Sequence, residues 1–369
     1  MIILVTGCTQ GLGFECVRSL AARPAAAAPT AIILACRDVA AAAAAADRVA
    51  ASTGYPRGSL VVLPEACDLA SLASVRGYAA AALAWLAGRR LHCLVNNAGI
   101  GGASTLRASA DGFELIAATN HLGHFLLTLL LLPAVAGRRI VNVSSEVHDA
   151  AAQKVPMPEP STFWPEAAAE WEAFIRGGAV NGEGARAAGE RRYTRSKLCN
   201  VLFTHELVRL LGGEAPAHCA PEALPAQRAL AGAASCALPG AAATRVVSMN
   251  PGLMLDTNFV AGLTGSSVIG GIAWALTPLL RWTPLGKVLC DAVSSGACLA
   301  ELAAPTAASA AWLRADATAA YFDKCAQKPS SAFALGARGV AAQRALWERS
   351  LEWAAVTPAE AAAAGLAPQ

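Results

Sequence analysis

The sequence has few charged residues: they make up 15% of its 369 positions and leave a formal net charge of +3. A surface that binds nucleic-acid phosphates needs clustered lysine and arginine side chains. The chain has one basic cluster, formed by Arg191, Arg192, Arg195 and Lys197. We therefore expect no nucleic-acid partner. The three arginines either attract an acidic group of a substrate or cofactor or lie on a solvated loop.

Long apolar runs are also missing. A hydrophobic content of 55% and a mean hydropathy of +0.43 would suggest a membrane protein, but 89 of the residues are alanine. No run reaches the ~20 apolar residues that span a bilayer. The longest candidate, residues 122–136, contains His124. We therefore expect no transmembrane helix.

The sequence has neither a C-x-x-C pair nor a recognisable signal peptide. Its 11 cysteines are odd in number and scattered, which disfavours a zinc site and a disulfide framework and fits a reducing compartment. The chain opens directly on an apolar run. Either no targeting segment exists, or an N-terminal extension is missing from this sequence. We expect a cytoplasmic protein.

The first 145 residues alternate between two hydrophobic periodicities. Short runs rich in Ile, Leu and Val are typical of strands buried on both faces, as in a parallel sheet. They span residues 2–6, 31–36, 60–64, 91–95 and 139–144. Longer stretches of helical character span residues 12–22, 39–52, 71–88 and 112–135. The alternation predicts an α/β fold with a Rossmann-type, doubly wound parallel sheet.

The alternation breaks after Ser145, inside a core that we expect to cover residues 1–257. Residues 146–192 form a first insert without a clear strand, and a helix follows at 193–211. Residues 212–243 form a second insert of Ala, Pro and Gly, which we interpret as a mobile surface loop because it offers little to bury. The core then ends with a strand at 246–249.

The remaining residues are predicted to complete the same single domain. Residues 258–356 would form a largely helical C-terminal region. This region includes a short strand at Tyr321-Phe322 and an amphipathic helix at 340–355. The tail, 357–369, is predicted to be disordered.

A glycine-rich segment joins the first predicted strand to the first helix. Residues 6–13 read Thr-Gly-Cys-Thr-Gln-Gly-Leu-Gly. Glycines let the backbone approach a pyrophosphate closely, and the following helix N-terminus offers free N–H groups and a partial positive charge. The strand–turn–helix context predicts dinucleotide binding rather than an ordinary turn. The contacting residues are expected to be Gly7, Thr9, Gln10, Gly11, Leu12 and Gly13.

The end of the second strand indicates which dinucleotide is bound. An acidic residue there would accept hydrogen bonds from the adenosine ribose, whereas an arginine suits a 2′-phosphate. Arg37 therefore predicts NADP(H) rather than NAD, unless it is only a surface residue at a helix start. Asp38 could bind the ribose or cap the next helix.

Polar segments also follow the third and fourth strands, at the sheet edge where open α/β folds bind ligands. Asp68, followed by Leu69, could accept a hydrogen bond from the adenine amino group or cap the helix near Ser71. The fourth strand leads to Asn97, Ala98 and Gly99, which we expect to contact the cofactor.

Tyr193 and Lys197 lie one helical turn apart on one face of a predicted helix. A tyrosine pKa near 10 makes the free side chain a poor acid–base catalyst, and a nearby cation lowers that pKa. Ser144 and Ser145 close the fifth strand and can donate a hydrogen bond to a carbonyl oxygen. The order of these features after the glycine-rich turn indicates an oxidoreductase site.

The combination resembles the short-chain dehydrogenase/reductases. The resemblance covers residues 2–257 apart from the two inserts. It rests on T-G-x-x-x-G-x-G at 6–13, N-N-A-G at 96–99, Ser145, and Y-x-x-x-K at 193–197. It implies that Tyr193 protonates the carbonyl oxygen during reduction. Lys197 would bind the nicotinamide ribose and lower the Tyr193 pKa, and Ser145 would orient the substrate oxygen.

The resemblance implies a C-terminal lid and substrate region at 258–356 and further contacts at the same site. Asn120 would hold a water that links Lys197 to solvent as a proton relay. Pro251, Gly252 and a nearby threonine would contact the nicotinamide amide. The threonine here, Thr257, lies one residue later than is usual in the family.

Two branches of the family look similar to this chain. The retinol dehydrogenase-like branch shares L-A-C-R-D at 34–38, N-H-L-G-H-F at 120–125 and the segment 196–207. The light-dependent protochlorophyllide reductases share A-C-R-D, a long insert before the tyrosine and a C-terminal helix like that around Trp347. They place a cysteine directly after Pro-Gly, where this chain has Leu253, which argues against pigment photoreduction. The two branches imply the cytoplasm or the plastid stroma as the location.

Three functions follow as expectations. The leading one is an NADP(H)-dependent oxidoreductase that transfers hydride to or from a carbonyl or alcohol of a bulky apolar substrate, such as a retinoid, steroid or other lipid. The second is reduction of a tetrapyrrole double bond. The third is a catalytically silent NADP-binding sensor or scaffold, which the intact catalytic positions disfavour.

Some residues suggest other roles that we do not favour. The resemblance makes His121 and His124 helix residues beside Asn120, so we expect no metal site. Cys199 is expected to be a buried core residue rather than a redox group. Residues 258–285 could touch a membrane surface peripherally. A homodimer is possible in this family, although the two inserts could obstruct it.

Overall fold

The predicted parallel sheet forms the centre of the molecule. The computed structural model describes residues 1–101, 105–135, 137–153, 157–162, 164–178, 182–212, 244–254, 289–307, 309, 313 and 320–365. The strands are β1 Ile2–Thr6, β2 Ala31–Ala35, β3 Leu60–Val61, β4 Cys93–Asn96, β5 Arg139–Val143, β6 Arg245–Asn250, β7 Leu253–Met254, β8 Leu289–Cys290, β9 Tyr321–Asp323 and β10 Ala326–Lys328. Eight of them form one sheet in the order β10-β9-β6-β5-β4-β1-β2-β3, and β7 pairs with β8.

The sheet is doubly wound, as predicted. Its strand pairs are parallel except for β10, which runs antiparallel to β9. Every residue of β1, β2, β4 and β5 is buried, because helices cover both faces. This two-sided burial explains why the strands are apolar runs rather than alternating patterns. The five strands predicted in the first 145 residues are confirmed, although β3 is shorter than 60–64 and β4 begins at Cys93.

Helices pack on both faces of the sheet. They are α1 Gly11–Ala21, α2 Val39–Thr53, α3 Leu72–Leu86, α4 Leu115–Ala117, α5 Gly123–Val135, α6 Ala168–Ile175, α7 Ala185–Leu210, α8 Ala292–Ala303, α9 Ala332–Leu335, α10 Ala337–Trp353 and α11 Pro358–Ala363. Buried residues of α1, α2 and α8 form the core on one face. Residues of α3, α5 and α7 form the core on the other, with Trp347 of α10 packed into it.

The most apolar helical segment is Leu115–Val135, in which a π-helical turn at Ala118–Leu122 joins α4 to α5. It is long and apolar enough to cross a membrane by length and composition, which the sequence count over 122–136 did not anticipate. Of its most apolar window, 78% is buried inside the protein. A core helix of this kind passes the same test, so its apolar character is explained by its place between the sheet and its neighbours.

The first insert contains helical structure that the sequence did not predict. Residues 146–192 contain α6, and α7 begins at Ala185, so the end of this insert belongs to the helix that carries Tyr193. Aromatic side chains organise it: Trp164 packs edge-on against Trp171, and Phe174 stacks on Trp353 of α10. The hydrophobic pattern of the insert did not reveal this helix, because its aromatic residues pack against α10, which is distant in sequence.

The prediction of a disordered tail is wrong for residues 357–365. Thr357 caps α11 by accepting a hydrogen bond from the Glu360 amide. Glu360 pairs with Arg76 of α3 at 2.8 Å, and the same guanidinium donates to the Ala354 carbonyl. The cap at Thr357 starts the helix, and the contacts of Arg76 with Glu360 and the Ala354 carbonyl hold the tail against α3.

The expectation that cysteines would not pair is also wrong at one place. Cys298 of α8 and Cys325, between β9 and β10, form a disulfide. The two residues are brought together by the fold rather than by a short spacing, so the sequence pattern could not identify them.

Several predictions fall on residues outside those described. These are the mobile loop at 212–243 apart from its first residue, the membrane-contact segment 258–285 with several later residues of the lid, and the nicotinamide contact of Thr257. The described part of the C-terminal region agrees with the prediction of a strand at Tyr321-Phe322 and a helix around Trp347.

Replacing Trp347 should test the packing that joins the C-terminal helix to the core. Its ring lies 5.0 Å from that of Phe125 and 6.0 Å from that of Phe203. Trp347→Ala leaves a cavity there and should lower the free energy of unfolding by about 3–5 kcal/mol in chemical denaturation. The control Val293→Ala, at a side chain that is 49% exposed, should change it by less than about 0.5 kcal/mol. Equal effects of the two variants would contradict this packing.

Candidate active site

The candidate site lies at the carboxyl ends of β1, β4 and β5. The chain runs from β1 to β2 on one side and to β4 on the other, so the strand order reverses between β1 and β4. A crevice opens at such a reversal in open α/β sheets. The glycine-rich turn, the N-N-A-G loop and Ser145 all follow strands that end there.

The turn at residues 6–13 has a shape that requires glycine. Gly7 and Gly11 have φ of +65° and +57°, in the left-handed region. A Cβ on Gly7 would lie 2.8 Å from the Cα of Ala98, and one on Gly13 would lie 2.4 Å from the Gly7 carbonyl oxygen. Because Gly7 and Gly13 have no Cβ, the turn, α1 and the N-N-A-G loop can pack close together.

Hydrogen bonds join the turn to the N-N-A-G loop. The backbone amides of Asn97 and Ala98 both donate to Thr6 Oγ1 at 2.9 Å. Asn97 Nδ2 donates to the carbonyls of Thr6 and Gly7 at 2.7 and 3.1 Å. Asn97 therefore supports the turn from beneath, a structural role in addition to the cofactor contact expected from the sequence.

The N-terminus of α1 is suited to an anion. Among the helices described, α2 and α3 are capped by the side chains of Asp38 and Ser71, whereas the side chain at the Gln10 N-cap makes no such bond. The first amides of α1, at Gly11, Leu12 and Gly13, therefore carry the positive end of the helix dipole toward the crevice. The cradle fits a dinucleotide pyrophosphate, and Thr9 and Gln10 lie at its rim.

Two arginines flank the adenosine side of this cradle. Arg37 is exposed directly after β2, as predicted. Arg48 of α2 is also exposed, donates to the Thr9 carbonyl at 2.6 Å and lies over the Phe14 ring. The sequence analysis missed Arg48 because only the packing of α2 brings it to the turn. Asp38 caps α2 by accepting from the Ala41 amide at 2.9 Å, which confirms the capping alternative.

Asp68 follows β3 at the same edge but does not cap α3. Its Oδ1 accepts a hydrogen bond from the Ala70 amide at 3.0 Å, while Ser71 is the cap of α3. The capping alternative for Asp68 is therefore wrong. The neighbouring Leu69 packs so closely on α5 that a Cβ on Gly123 would lie 2.3 Å from its carbonyl oxygen.

Helix α7 brings Tyr193 and Lys197 to the crevice. Both side chains are buried, and the Lys197 Nζ lies 5.7 Å from the Tyr193 ring centroid. The Lys197 Nζ donates to the Val143 carbonyl at the end of β5, at 3.2 Å. Tyr193 is hydrogen-bonded to Ser145, which is only half-buried. The end of β5 thus positions three predicted catalytic residues.

Asn120 completes the cluster from the π-helical turn between α4 and α5. Its Oδ1 accepts from the Ile100 amide at 2.8 Å, and its Nδ2 donates to the Ser196 hydroxyl at 3.0 Å. A Cβ on Gly99 would lie 3.3 Å from Asn120 Oδ1 and 3.5 Å from Lys197 Nζ. The absence of a side chain at Gly99 therefore leaves space beside Asn120 Oδ1 and Lys197 Nζ.

Burial controls the protonation of Tyr193 and Lys197. Burial lowers the pKa of Lys197 to about 8, because it disfavours the charged ammonium. Desolvation also raises the pKa of Tyr193, and its hydrogen bond to Ser145 only partly opposes this. In the protein alone the Tyr193 pKa therefore moves upward, against the lowering that the Y-x-x-x-K spacing led us to expect.

Pro251 and Gly252 follow β6, at the edge expected to hold the nicotinamide. The Pro251 carbonyl accepts a hydrogen bond from Ser295 at 2.7 Å, and Gly252 has φ of +85°. A Cβ on Gly252 would lie 2.5 Å from the sulfur of Cys290. This cysteine borders the site although it is remote in sequence.

The two histidines of the N-H-L-G-H-F segment serve the fold. His121 Nε2 lies 2.9 Å from the Ser350 hydroxyl of α10, and His124 Nε2 lies 2.9 Å from the Thr6 hydroxyl. Burial lowers their pKa values to about 3 and about 4, so both rings are neutral at physiological pH. Among the residues that the structure describes, no three His, Cys, Asp or Glu side chains converge as metal ligands. Cys199 is buried in the core, as expected.

The expectation that Arg191, Arg192 and Arg195 lie on a solvated loop is wrong. All three belong to α7 and are less than a tenth exposed. Arg191 pairs with Glu183 at 2.7 Å, and Arg192 lies 3.5 Å from Glu114. Arg195 covers the Phe174 ring. These contacts hold the first insert and the N-terminus of α4 against α7.

Comparison with known proteins agrees with this geometry. Residues 1–157 match the sequence model of the family described as short chain dehydrogenase. Human retinol dehydrogenase 12 is 36% identical over 215 residues, which cover 58% of this chain and 57% of that protein. The chloroplastic protochlorophyllide reductase of Chlamydomonas reinhardtii is 44% identical over 131 residues, or 35% of this chain and 30% of that protein.

A solved structure extends the likeness beyond the matched segments. An uncharacterized protein from Mycobacterium paratuberculosis aligns with a TM-score of 0.53 and 25% identity over 95% of this chain and 93% of that one. The chain thus has the Rossmann-type fold and resembles the short-chain dehydrogenase/reductases, in a branch similar to the retinol dehydrogenases. The chain spans little more than half the length of the curated retinol dehydrogenase that it matches.

The buried Lys197 should destabilise the protein in a pH-dependent way. Its folded pKa of about 8 lies below the ordinary 10.5, so between these values the unfolded chain binds more protons and stability rises with pH. The full penalty is present below pH 8. Lys197→Met removes it and should raise the free energy of unfolding at pH 7 by about 1–3 kcal/mol. The gain should shrink as the pH rises above 8.

The measurement is denaturant unfolding of both proteins across this pH range. Lys328→Met, at an exposed lysine paired with Asp323, serves as the control and should show no such pH dependence. A Lys197→Met variant that is less stable than the parent at every pH would contradict the penalty.

Proposed function

We propose that this chain, a relative of the short-chain dehydrogenases with their fold, is an NADP(H)-dependent oxidoreductase. It would interconvert a carbonyl and an alcohol on a bulky apolar substrate. The observation that carries the proposal is the convergence of Tyr193, Lys197, Ser145 and Asn120 beside the glycine-rich turn. The matches to a short-chain dehydrogenase model and to a retinol dehydrogenase support the same reaction class.

The cofactor half of the proposal depends on charge. The uncapped N-terminus of α1 would bind the pyrophosphate, and the exposed Arg37 and Arg48 would hold a 2′-phosphate. Bound NADPH would supply the hydride. The close contact of Gly13 with Gly7 lets the cofactor approach the backbone, because no side chain stands between them.

The proton half depends on Tyr193. Its hydroxyl is bonded to Ser145, so the two groups can bind one carbonyl oxygen together. The raised pKa keeps the tyrosine protonated before reaction, which is the state that a proton donor needs for reduction. As negative charge develops on the substrate oxygen, the Tyr193 hydroxyl gives up its proton there and the Ser145 hydroxyl stabilises the remaining charge.

Lys197 and Asn120 would restore that proton. The ammonium lies beside the tyrosine ring and favours the phenolate once it forms. Its pKa of about 8 lets it exchange a proton near neutral pH. Asn120, fixed by Ile100 and Ser196, lies beside Lys197 at the Gly99 gap and could hold a water in contact with it.

The walls beside Tyr193 support an apolar substrate. Its ring packs with Ile116 and Val147, and the partly buried Ile100 and Met157 lie against the same cluster. An apolar substrate would bury these side chains further, whereas a charged one would lose its hydration there without a described countercharge in this cluster. The retinol dehydrogenase match points to the same class.

A second candidate is reduction of a tetrapyrrole double bond, as the name of the Chlamydomonas relative indicates. The pigment reductases have a cysteine directly after Pro-Gly, and Leu253 occupies that position here. Cys290 favours this candidate nonetheless, because the pairing of β7 with β8 brings its sulfur against Gly252. Light-dependent reduction of protochlorophyllide by the purified protein with NADPH would support it and contradict the carbonyl proposal.

Removing the Tyr193 hydroxyl should separate binding from chemistry. Substrates are first screened by NADPH absorbance against retinal, other long-chain aldehydes and apolar ketones. Tyr193→Phe should lower kcat on the best substrate by roughly 10²–10⁴-fold, because the proton donor is lost, while NADPH affinity remains nearly unchanged. Tyr55→Phe, which removes a buried hydroxyl bonded to Pro29 far from the crevice, is the control and should retain turnover. Full turnover by Tyr193→Phe would exclude this mechanism.

Removing the Arg37 charge should test the choice of cofactor. Arg37→Ala should weaken NADPH binding roughly 10–100-fold through loss of a charge-assisted contact, and should leave NADH binding unaffected. Fluorescence titration of the two cofactors measures both. Arg57 precedes β3, at the amino ends of the strands, and pairs with Asp47. The control Arg57→Ala should therefore change the affinity for neither cofactor. Equal losses for NADPH and NADH would contradict recognition of the 2′-phosphate.

A further inference from the structure

Two thiols at the cofactor cradle have no part in the proposed reaction. Cys8 lies in the glycine-rich turn after β1, and Cys36 lies between β2 and Arg37. Their sulfurs are 3.5 Å apart, and both side chains are buried.

The neighbouring backbone holds the two thiols in place. The parallel register pairs Thr6 with Ala35, and the Gly7 amide donates to the Ala35 carbonyl at 2.9 Å. The Cys36 carbonyl in turn accepts from the Cys67 amide at 2.9 Å. A disulfide requires the sulfurs to approach to about 2.05 Å, a closure of about 1.5 Å. Side-chain rotation and a small shift of the turn could supply it.

The two thiols differ in reactivity. The hydrogen bond with the Cys8 thiol favours the Cys36 thiolate and lowers the pKa of Cys36; burial opposes this, and the backbone amides of residues 7–9 add to the lowering. Burial instead raises the pKa of Cys8, as it does for Cys16 and Cys199 elsewhere in the core. Cys36 also retains 6% exposure, whereas Cys8 has none. Cys36 is therefore the thiol that a small oxidant would meet first.

We propose that Cys8 and Cys36 form an oxidation site at which a peroxide creates a reversible disulfide within the cofactor cradle. The Cys36 thiolate attacks the peroxide, the O–O bond breaks, and a sulfenic acid and hydroxide form. The Cys8 thiol then attacks the Cys36 sulfur, an S–S bond forms, and water leaves. In sum, two thiols and one hydrogen peroxide give one disulfide and two waters.

The disulfide would close the cradle to the dinucleotide, a consequence that rests on the proposed function. Joining the sulfurs draws the turn toward the end of β2. The amides at the start of α1 and the neighbouring Arg37 would then no longer fit the phosphates at the same time. Bound cofactor would in return cover the exposed edge of Cys36 and slow its oxidation.

The test is a peptide map of the full-length protein combined with cofactor titration. The protein is reduced, treated with hydrogen peroxide, blocked with iodoacetamide and digested for mass spectrometry. A peptide pair linked through Cys8 and Cys36 is expected, and dithiothreitol should remove it. NADPH affinity should fall at least about tenfold on oxidation and recover on reduction. Preincubation with NADPH should slow formation of the link.

Variants identify the residues responsible. Cys8→Ser should give no link, and its NADPH affinity should be the same before and after peroxide. Cys290→Ser removes the partly exposed thiol beside Gly252 and should leave the link intact. Oxidation of Cys36 to the sulfinic acid without a link would overturn the proposal, as would a link that leaves NADPH affinity unchanged. Failure of the reduced protein to bind NADPH would instead overturn the proposed function, because the peptide map reports the disulfide independently.

Discussion

The two halves of the site are held together through the hydroxyl of Thr6. This buried group accepts hydrogen bonds from the amides of Asn97 and Ala98, which fix the N-N-A-G loop to the glycine-rich turn. Its one proton faces two acceptors, His124 Nε2 at 2.9 Å and the Val95 carbonyl at 3.3 Å. Burial keeps His124 neutral, so its Nδ1–H can donate to the Asn120 carbonyl at 3.2 Å. One hydroxyl thereby links the cofactor cradle to the π-helical turn that carries Asn120.

Helix α7 buries several charged side chains in this arrangement. Tyr193, Lys197 and three arginines of α7 are buried, although charged side chains are rarely buried without partners. Arg191 and Arg192 have carboxylate partners from the first insert and the α4 N-terminus. Lys197 instead has the Val143 carbonyl, and its pKa falls. The insert therefore stabilises α7 around the candidate site, while Lys197 keeps a lowered pKa with a backbone carbonyl as its hydrogen-bond partner.

Local signals were sufficient to predict the sheet and the order of the motifs. Strands buried on both faces leave continuous apolar runs, and the turn at residues 6–13 needs glycines that are visible in the sequence. Arg48, the Cys298–Cys325 disulfide and the contact of Cys290 with Gly252 could not be predicted, because each depends on segments that only tertiary packing brings together. The helices of the first insert and of the tail were not predicted for the same reason. Their buried residues contact α7, α10 and α3 rather than a face of the sheet.

A crystal structure with bound NADP⁺ tests most directly whether the turn and the catalytic helix form one site. We expect the pyrophosphate at the first amides of α1 and the 2′-phosphate between Arg37 and Arg48. The nicotinamide ribose should lie within about 3 Å of the Lys197 Nζ, with the ring facing Tyr193. A dinucleotide whose nicotinamide lies away from Tyr193, or whose phosphates bind elsewhere than α1, would contradict the account.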